Sequence, residues 1–137
     1  MLLVDDDLIN QKVMTSLIRR RGLEGLSARN GRHCLELCAT QTFDLVLMDI
    51  QMPELNGFQT AALIRELEAR DPENPRRVPI IALTTVSEPG TRERCAAAGM
   101  DDYLPKPVNT RQLDEVLGRY VKLPPPPAAN PPPVTGS

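Results

Sequence analysis

FDLVLMDIQMPELNG, residues 43–57, decides the fold. Leu45-Val46-Leu47-Met48 is an unbroken apolar run that ends on one acid, Asp49, and Pro53 and Gly57 follow it. A short run of this kind, without alternation, predicts a strand buried on both faces of a sheet. The carboxylate then falls at its C-terminal end, followed by a loop and a helix. Burying a charge costs free energy unless the charge is paired or coordinated. The rest of the chain must therefore supply something to Asp49.

The totals bound the answer. A chain of 137 residues is one ordinary domain with room for a real core. A net charge of −2 argues against nucleic acid as a bulk partner. Cys34, Cys38 and Cys95 cannot all pair with one another, and no second ligand pair accompanies them. They read as reduced thiols of a cytoplasmic segment, with no zinc or disulfide role. No apolar run reaches the length of a membrane span, and no basic flank and apolar stretch mark a signal peptide.

In chain order, Leu2-Leu3-Val4 predicts a first strand, with Asp5-Asp6-Asp7 at its C-terminal edge. Leu8, Ile9, Val13, Met14, Leu17 and Ile18 recur at helical spacing, with Asp7 as N-cap, and Arg19-Arg20-Arg21 and Gly22 close that helix. The arginines read as a solvated helix end. A weak strand is expected over Leu23–Ala28, and a helix over Arg32–Thr40 with Leu35 and Cys38 inward. His33 reads as a surface residue of that helix. The third strand is expected over Phe43–Asp49 and a helix over Gly57–Arg70. Asp71–Arg77 is a polar, proline-broken loop, and Pro79–Thr84 a fourth buried strand ending on Thr84 and Thr85. Pro89-Gly90 delays the next helix to Thr91–Ala98. Asp102–Leu104 is a short fifth strand, Lys106-Pro107 follows, and Asn109 or Thr110 caps a last helix carrying Leu113, Val116, Leu117 and Tyr120. Residues 1–122 form the domain. Residues 123–137, with seven prolines from Pro124 on, are expected to be a disordered linker or tail.

Strand and helix thus alternate five times, which predicts a parallel sheet with helices on both faces. Ligands of such sheets sit beyond the C-terminal strand ends. Asp5-Asp6-Asp7, Asp49, Thr84 and Lys106 all fall there. Clustered carboxylates need a cation, and oxygen donors without histidine or cysteine suit Mg²⁺. Carboxylates, an ammonium and a hydroxyl together suit a phosphoryl group, with Asp49 as nucleophile and an acyl phosphate as product. No Gly-rich loop follows the first strand, so a nucleotide grip is not supported.

VDDDLINQ at 4–11, LVLMDIQMPELNG at 45–57, ALTT at 82–85 and GMDDYLPKPV at 99–108 carry a resemblance. From about Leu2 to Val121 the chain resembles the receiver domain of two-component response regulators. The resemblance implies a flavodoxin-like (βα)5 fold with strand order 2-1-3-4-5. It implies that Asp49 accepts a phosphoryl group from a phosphohistidine of a histidine kinase or histidine-phosphotransfer domain, a self-phosphorylating acceptor rather than a conventional turnover enzyme. Asp6 would bind Mg²⁺ directly, as would Asp49 and the backbone carbonyl of Gln51, with Asp5 acting through water. Lys106 would hold the phosphoryl oxygens, with a cis peptide to Pro107, and Asp7 would be a cap. Thr84 would move towards the phosphoryl group and Tyr103 would turn inward with it. That motion changes the face of the fourth helix, fifth strand and fifth helix, which a partner or a phosphorylation-dependent dimer would use.

The wording around the site looks most like receivers of hybrid sensor histidine kinases, so the chain is expected to be a piece of a longer one. A free-standing single-domain regulator is the second version. A phosphatase of the haloacid dehalogenase type also uses a strand-end Asp, but it wants a second Asp where this chain has Gln51. A degenerate receiver that only docks is disfavoured by the complete set of acids, Thr84 and Lys106. Pro89-Gly90 implies a shorter fourth helix. Gln51 and Val86, two residues after Asp49 and Thr84, offer no general base, which implies slow loss of the phosphoryl group. Thr85 stands where the family usually has a small residue.

Overall fold

The computed structural model describes residues 1–52, 54–73, 77–84 and 90–121. Five parallel strands pair in the order β2-β1-β3-β4-β5. They are β1 Leu2–Val4, β2 Leu26–Ala28, β3 Val46–Asp49, β4 Ile80–Thr84 and β5 Asp102–Pro105. The helices between and after them are α1 Leu8–Arg20, α2 Gly31–Thr40, α3 Gly57–Ala69, α4 Thr91–Ala97 and α5 Thr110–Tyr120. The flavodoxin-like expectation holds, including the strand order. The expected tail from 123 on, and Thr85, Val86 and Pro89, lie outside the described residues.

Strand residues alternate between two cores, as a two-residue side-chain period requires. Leu2, Val4, Val46, Met48, Ile80 and Ala82 face Cys34 of α2, Ala61 and Ile64 of α3, and Cys95 of α4. Leu3, Leu47, Ile81 and Leu83 face Met14 and Ile18 of α1 and Leu113, Val116 and Leu117 of α5. Both faces of the sheet are thus covered, which is why the strands read as continuous apolar runs.

Three expected strands are shorter at their starts, β4 by Pro79 alone and β2 and β3 by three residues each. Leu23 is taken by the end of α1, where its N–H bonds the Ile18 carbonyl and the Gly22 N–H bonds that of Arg19. Gly22, at φ 77°, supplies the left-handed turn that this closure needs. Phe43 and Asp44 precede the β3 ladder, which starts with the Val46 N–H on the Pro79 carbonyl.

The inward face of α1 also differs. It is Gln11, Met14 and Ile18. Leu8, Ile9 and Val13, which recur at the same helical spacing, are 62%, 72% and 52% exposed. The arginine triplet is not wholly solvated either: Arg21 bridges α1 to α5 through Asp114 and donates to the Leu17 carbonyl. In α2 the fully buried thiol is Cys34, while Leu35 and Cys38 are half-buried against the core edge. The helix begins one residue early, because the Asn30 side chain caps it by accepting from the His33 N–H. His33 is half-buried there, and its Nδ1 accepts from the Arg29 N–H. Among the described residues no helix is long and apolar enough to cross a membrane.

Candidate functional site

The strand order places the C-terminal ends of β1 and β3 side by side at the centre of the sheet, and β4 next to β3. Crossovers leave these two central strands in opposite directions, which opens a crevice between them. Asp5 follows β1 and Asp49 ends β3, and both are buried, at 3% and 4% exposure. Asp6 is exposed at the rim. One oxygen from each of Asp5, Asp6 and Asp49 lies within 4.8 Å of the others.

Lys106 closes the other side. Its Nζ lies 3.1 Å from Asp49 Oδ1 and 3.6 Å from Asp5 Oδ2. The backbone fixes it there, since β5 runs beside β4 with Pro105 opposite Thr84, and the Lys106 N–H donates to the Thr84 carbonyl at 2.8 Å. The Lys106–Pro107 peptide is cis, as expected. Thr84 is buried at the end of β4, one strand from Asp49.

Burial holds the Asp49 carboxyl above the usual carboxylate range, and the neighbouring Asp5 adds to this. Lys106 opposes the shift, and so does the Gln51 N–H, which donates to Asp49 Oδ1 at 3.1 Å. One ammonium therefore does not fully compensate two buried acids. Asp5 Oδ1 accepts from the Asp7 N–H at 2.8 Å, while its buried Oδ2 has no hydrogen-bond partner. An orphaned carboxylate oxygen beside two further acids, with oxygen donors throughout, fits a hard divalent cation.

Asp7 is placed as the cap of α1, accepting from the Ile9 N–H at 2.9 Å, and takes no part in the acid cluster. Tyr103 is half-buried on β5 opposite Ala82, and Arg92 of α4 lies 5.6 Å from its ring centroid. The seven-residue α4 starts at Thr91 after Gly90, as the Pro89-Gly90 pair implied.

Two residues at the site were not singled out from the sequence. Gln11 is buried in α1, and its Nε2 donates to the Asp5 carbonyl at 2.5 Å and the Ala28 carbonyl at 2.9 Å. It ties the acid-bearing loop to β2. The signal was a polar residue three and seven positions before Met14 and Ile18, in register with them. Gly57 was noted as a helix start, but its role is spatial. A Cβ there would lie 2.6 Å from the Asp49 carbonyl oxygen and 2.8 Å from Ile50 Cα. Only a residue without a side chain lets α3 approach the end of β3 so closely.

A parallel sheet in this order, with two buried acids and a lysine at its central crevice, defines a doubly wound domain of the receiver class. Residues 1–118 match the model of the response regulator receiver domain, and the chain belongs to that family. It is 37% identical over 122 residues to the sensor histidine kinase GacS of Pseudomonas protegens, covering 89% of this chain and 13% of that protein. The chain thus spans a small part of the hybrid kinases it matches, whereas one matched response regulator is spanned over 94% of its length. Among solved structures it is similar to the receiver domain of the sensor histidine kinase PA1611 from Pseudomonas aeruginosa, determined with magnesium in its active-site cleft. There the TM-score is 0.75 and the identity 39%, over 87% of this chain and 93% of that one. It is also similar to the receiver domain of Ssk1 from Saccharomyces cerevisiae, crystallised with the histidine phosphotransfer protein Ypd1. That match has a TM-score of 0.80 and 29% identity, over 87% of this chain and 86% of that one.

Proposed function

We propose that this receiver domain takes a phosphoryl group onto Asp49 in an Mg²⁺-dependent phosphorelay within a hybrid sensor histidine kinase. The observation that carries the reading is the placement of Asp49 between Lys106, at 3.1 Å, and the oxygens of Asp5 and Asp6. In the transfer, an Asp49 carboxylate oxygen attacks phosphorus, the phosphorus–nitrogen bond of a phosphohistidine breaks, and the imidazole leaves with the bonding pair. Lys106 stabilises the charge spread over the phosphoryl oxygens, and the Thr84 hydroxyl donates to one of them. Asp6, Asp49 and the Gln51 carbonyl would hold Mg²⁺, with Asp5 assisting through water. Bound there, the ion supplies positive charge against the phosphoryl oxygens. Gln51 presents an amide rather than an acid, so this position offers no general base of the kind that would turn an acceptor into a phosphatase. The acyl phosphate is accordingly slow to hydrolyse.

Delivery of phosphorus to this rim needs a partner seated beside it. Leu8, Ile9 and Val13 lie exposed on α1 immediately after the acids, and they give a histidine-phosphotransfer domain an apolar surface to dock on. Phosphorylation then draws Thr84 towards the new group and Tyr103 inward, changing the α4–β5–α5 face for a reader or a second copy. The three cysteines, all free, suit a reducing cytoplasm.

Beryllofluoride with Mg²⁺ tests the site directly. Wild type should bind this phosphoryl analogue and gain one phosphoryl mass from acetyl phosphate, and Asp49→Asn should do neither. Labelling that persists in Asp49→Asn sinks the assignment. Catalytic release of phosphate from a generic aryl phosphate would favour the phosphatase instead.

A further inference from the structure

The helices α1, α2, α3 and α5 each start on an aspartate or asparagine whose side chain accepts a backbone N–H. α4 starts on Gly90 without such a bond, and its seven residues bury one side chain, Cys95. Two exposed arginines add contacts to aromatic rings on either side of it. The Arg94 guanidinium lies 4.6 Å from the ring centroid of Phe58, on α3. That of Arg92 lies 5.6 Å from the ring centroid of Tyr103, on β5. Both are within the reach of cation–π attraction. The phosphoryl chemistry uses neither arginine.

The two rings differ in what holds them. Phe58 follows Gly57, whose close approach to the backbone of Asp49 and Ile50 fixes the start of α3. Tyr103 is half-buried at the edge of the core that α2, α3 and α4 share, so it has further to go inward. Arg92 is not free to follow it. Arg94 stays on Phe58, and the far end of α4 is pinned: the Gly99 carbonyl accepts from Arg65 Nε at 2.9 Å, and the Met100 N–H donates to the Cys95 carbonyl at 2.9 Å. A ring that turns inward therefore leaves the Arg92 guanidinium facing water. A contact made in one state and lost in the other favours the state that has it.

We infer that Arg92 is a positioning residue of the switch, a latch that stacks on Tyr103 in the unphosphorylated domain and opposes its inward turn. The inference rests on the proposed turn of Tyr103 and adds the group that resists it. A cation–π contact at an exposed site is worth a factor of about two to five in an equilibrium constant. That is a bias and not a lock. It lowers the population of the responsive conformation before phosphorylation, and leaves the phosphoryl group able to win.

Titration of the full chain with beryllofluoride and Mg²⁺ tests this, with the Tyr103 ring followed by NMR of isotope-labelled tyrosine. Arg92→Gln should tighten analogue binding about two- to fivefold. Without analogue, its Tyr103 ring signals should move towards those of the wild-type complex. Arg92→Lys, which keeps a cation without the flat guanidinium, should fall between the two. Loss of positive charge alone would weaken binding of an anionic analogue, so the expected gain has the opposite sign to a charge effect. Arg111→Gln removes an equal charge from a side chain of α5 that is 89% exposed, and should leave affinity as it is. In a Tyr103→Leu background Arg92→Gln should have no effect, because the ring is gone. Equal or weaker binding by Arg92→Gln, or the same gain in the Tyr103→Leu background, overturns the latch and leaves the Asp49 assignment standing. A wild-type protein that binds no analogue overturns that assignment, and the latch with it.

Discussion

The Lys106 ammonium lies 3.1 Å from the Asp49 carboxylate, and it is the cation that faces both buried acids of the rim. Removing one member of a buried ion pair costs more than the pair contributes, because the other member stays behind uncompensated. Here two carboxylates would be stranded together. Lys106→Ala should lower metal-free stability by about 3 kcal/mol in a denaturant titration, and Mg²⁺ should restore part of it. Beryllofluoride binding should fall to background. A variant as stable as wild type without metal would mean that the acids are compensated from elsewhere.

The metal prediction carries a pH sign. Mg²⁺ should bind the folded rim and raise stability as its concentration passes its dissociation constant, by about 1.4 kcal/mol for each further tenfold. Protons compete for the same oxygens. Burial raises the Asp49 carboxyl, so the folded chain takes up this proton more readily than the unfolded chain does. Without metal, the stability that this proton contributes is present below the unfolded carboxylate range and lost as pH rises through the raised value. With metal the trend reverses, and the gain from Mg²⁺ should fade as pH drops, at a pH above that of an ordinary exposed carboxylate. Melting curves with and without Mg²⁺ across the acid range check both slopes. An Asp49→Asn variant should lose the Mg²⁺-dependent shift.

Gln11 predicts a stability effect with no charge in it. Its amide donates to the carbonyls of Asp5 and Ala28, which come from adjacent strand ends. Gln11→Leu keeps much of the volume and leaves the Asp5 carbonyl without that donor, while the Ala28 carbonyl still accepts from the Asp5 N–H at 3.1 Å. An unmet buried acceptor costs about 1–3 kcal/mol, so a loss of about 2 kcal/mol or more is expected. The Asp5 loop is released at the same time, and Mg²⁺ affinity should drop with it. Unaltered metal affinity would separate the packing role of Gln11 from any role at the rim.

These residues also mark where the sequence stops being legible. The strand-end acids, Thr84 and Lys106 could be read because a polar residue after a buried apolar run has few structural uses. Strand order came with the resemblance, since local pattern does not encode which strands are neighbours. The inward face of α1 was not legible, for a physical reason. Leu8, Ile9 and Val13 satisfy helical spacing as well as Met14 and Ile18 do, and only the packed structure decides which set is inward. The inward turn nearest the acids holds Gln11, because the backbone carbonyls of Asp5 and Ala28 meet there and a leucine could not bond them.

Gly57 should be among the least replaceable residues of the chain. Its Cα approaches the backbone of Asp49 and Ile50 so closely that any Cβ would sit at 2.6–2.8 Å. Neither partner is a side-chain tip that could swing away. Gly57→Ala must therefore push α3 off the end of β3 or turn the Asp49 peptide. Overpacking of this kind costs about 1–3 kcal/mol, and here it also displaces the Asp49 carboxylate. The expected result is a lower melting temperature together with weaker beryllofluoride binding. A variant that binds the analogue normally would place the strain away from Asp49.

The exposed apolar residues of α1 separate partner docking from chemistry. Ile9 is 72% exposed and Leu8 62%, so replacing them should change stability by no more than about 0.5 kcal/mol. Neither belongs to the acid cluster, so Ile9→Ser and Leu8→Ser should leave beryllofluoride affinity and labelling by acetyl phosphate as they are. Transfer from a phosphorylated histidine-phosphotransfer domain should behave otherwise. If that domain seats on α1, each substitution removes apolar contact from the centre of the interface, where single side chains are worth ~1–2 kcal/mol or more. The second-order transfer rate should then fall about tenfold per substitution, with the single-turnover rate at saturating partner much less affected. Equal losses with acetyl phosphate would show that the helix had shifted the rim itself, and no loss with either donor would move the docking surface away from α1.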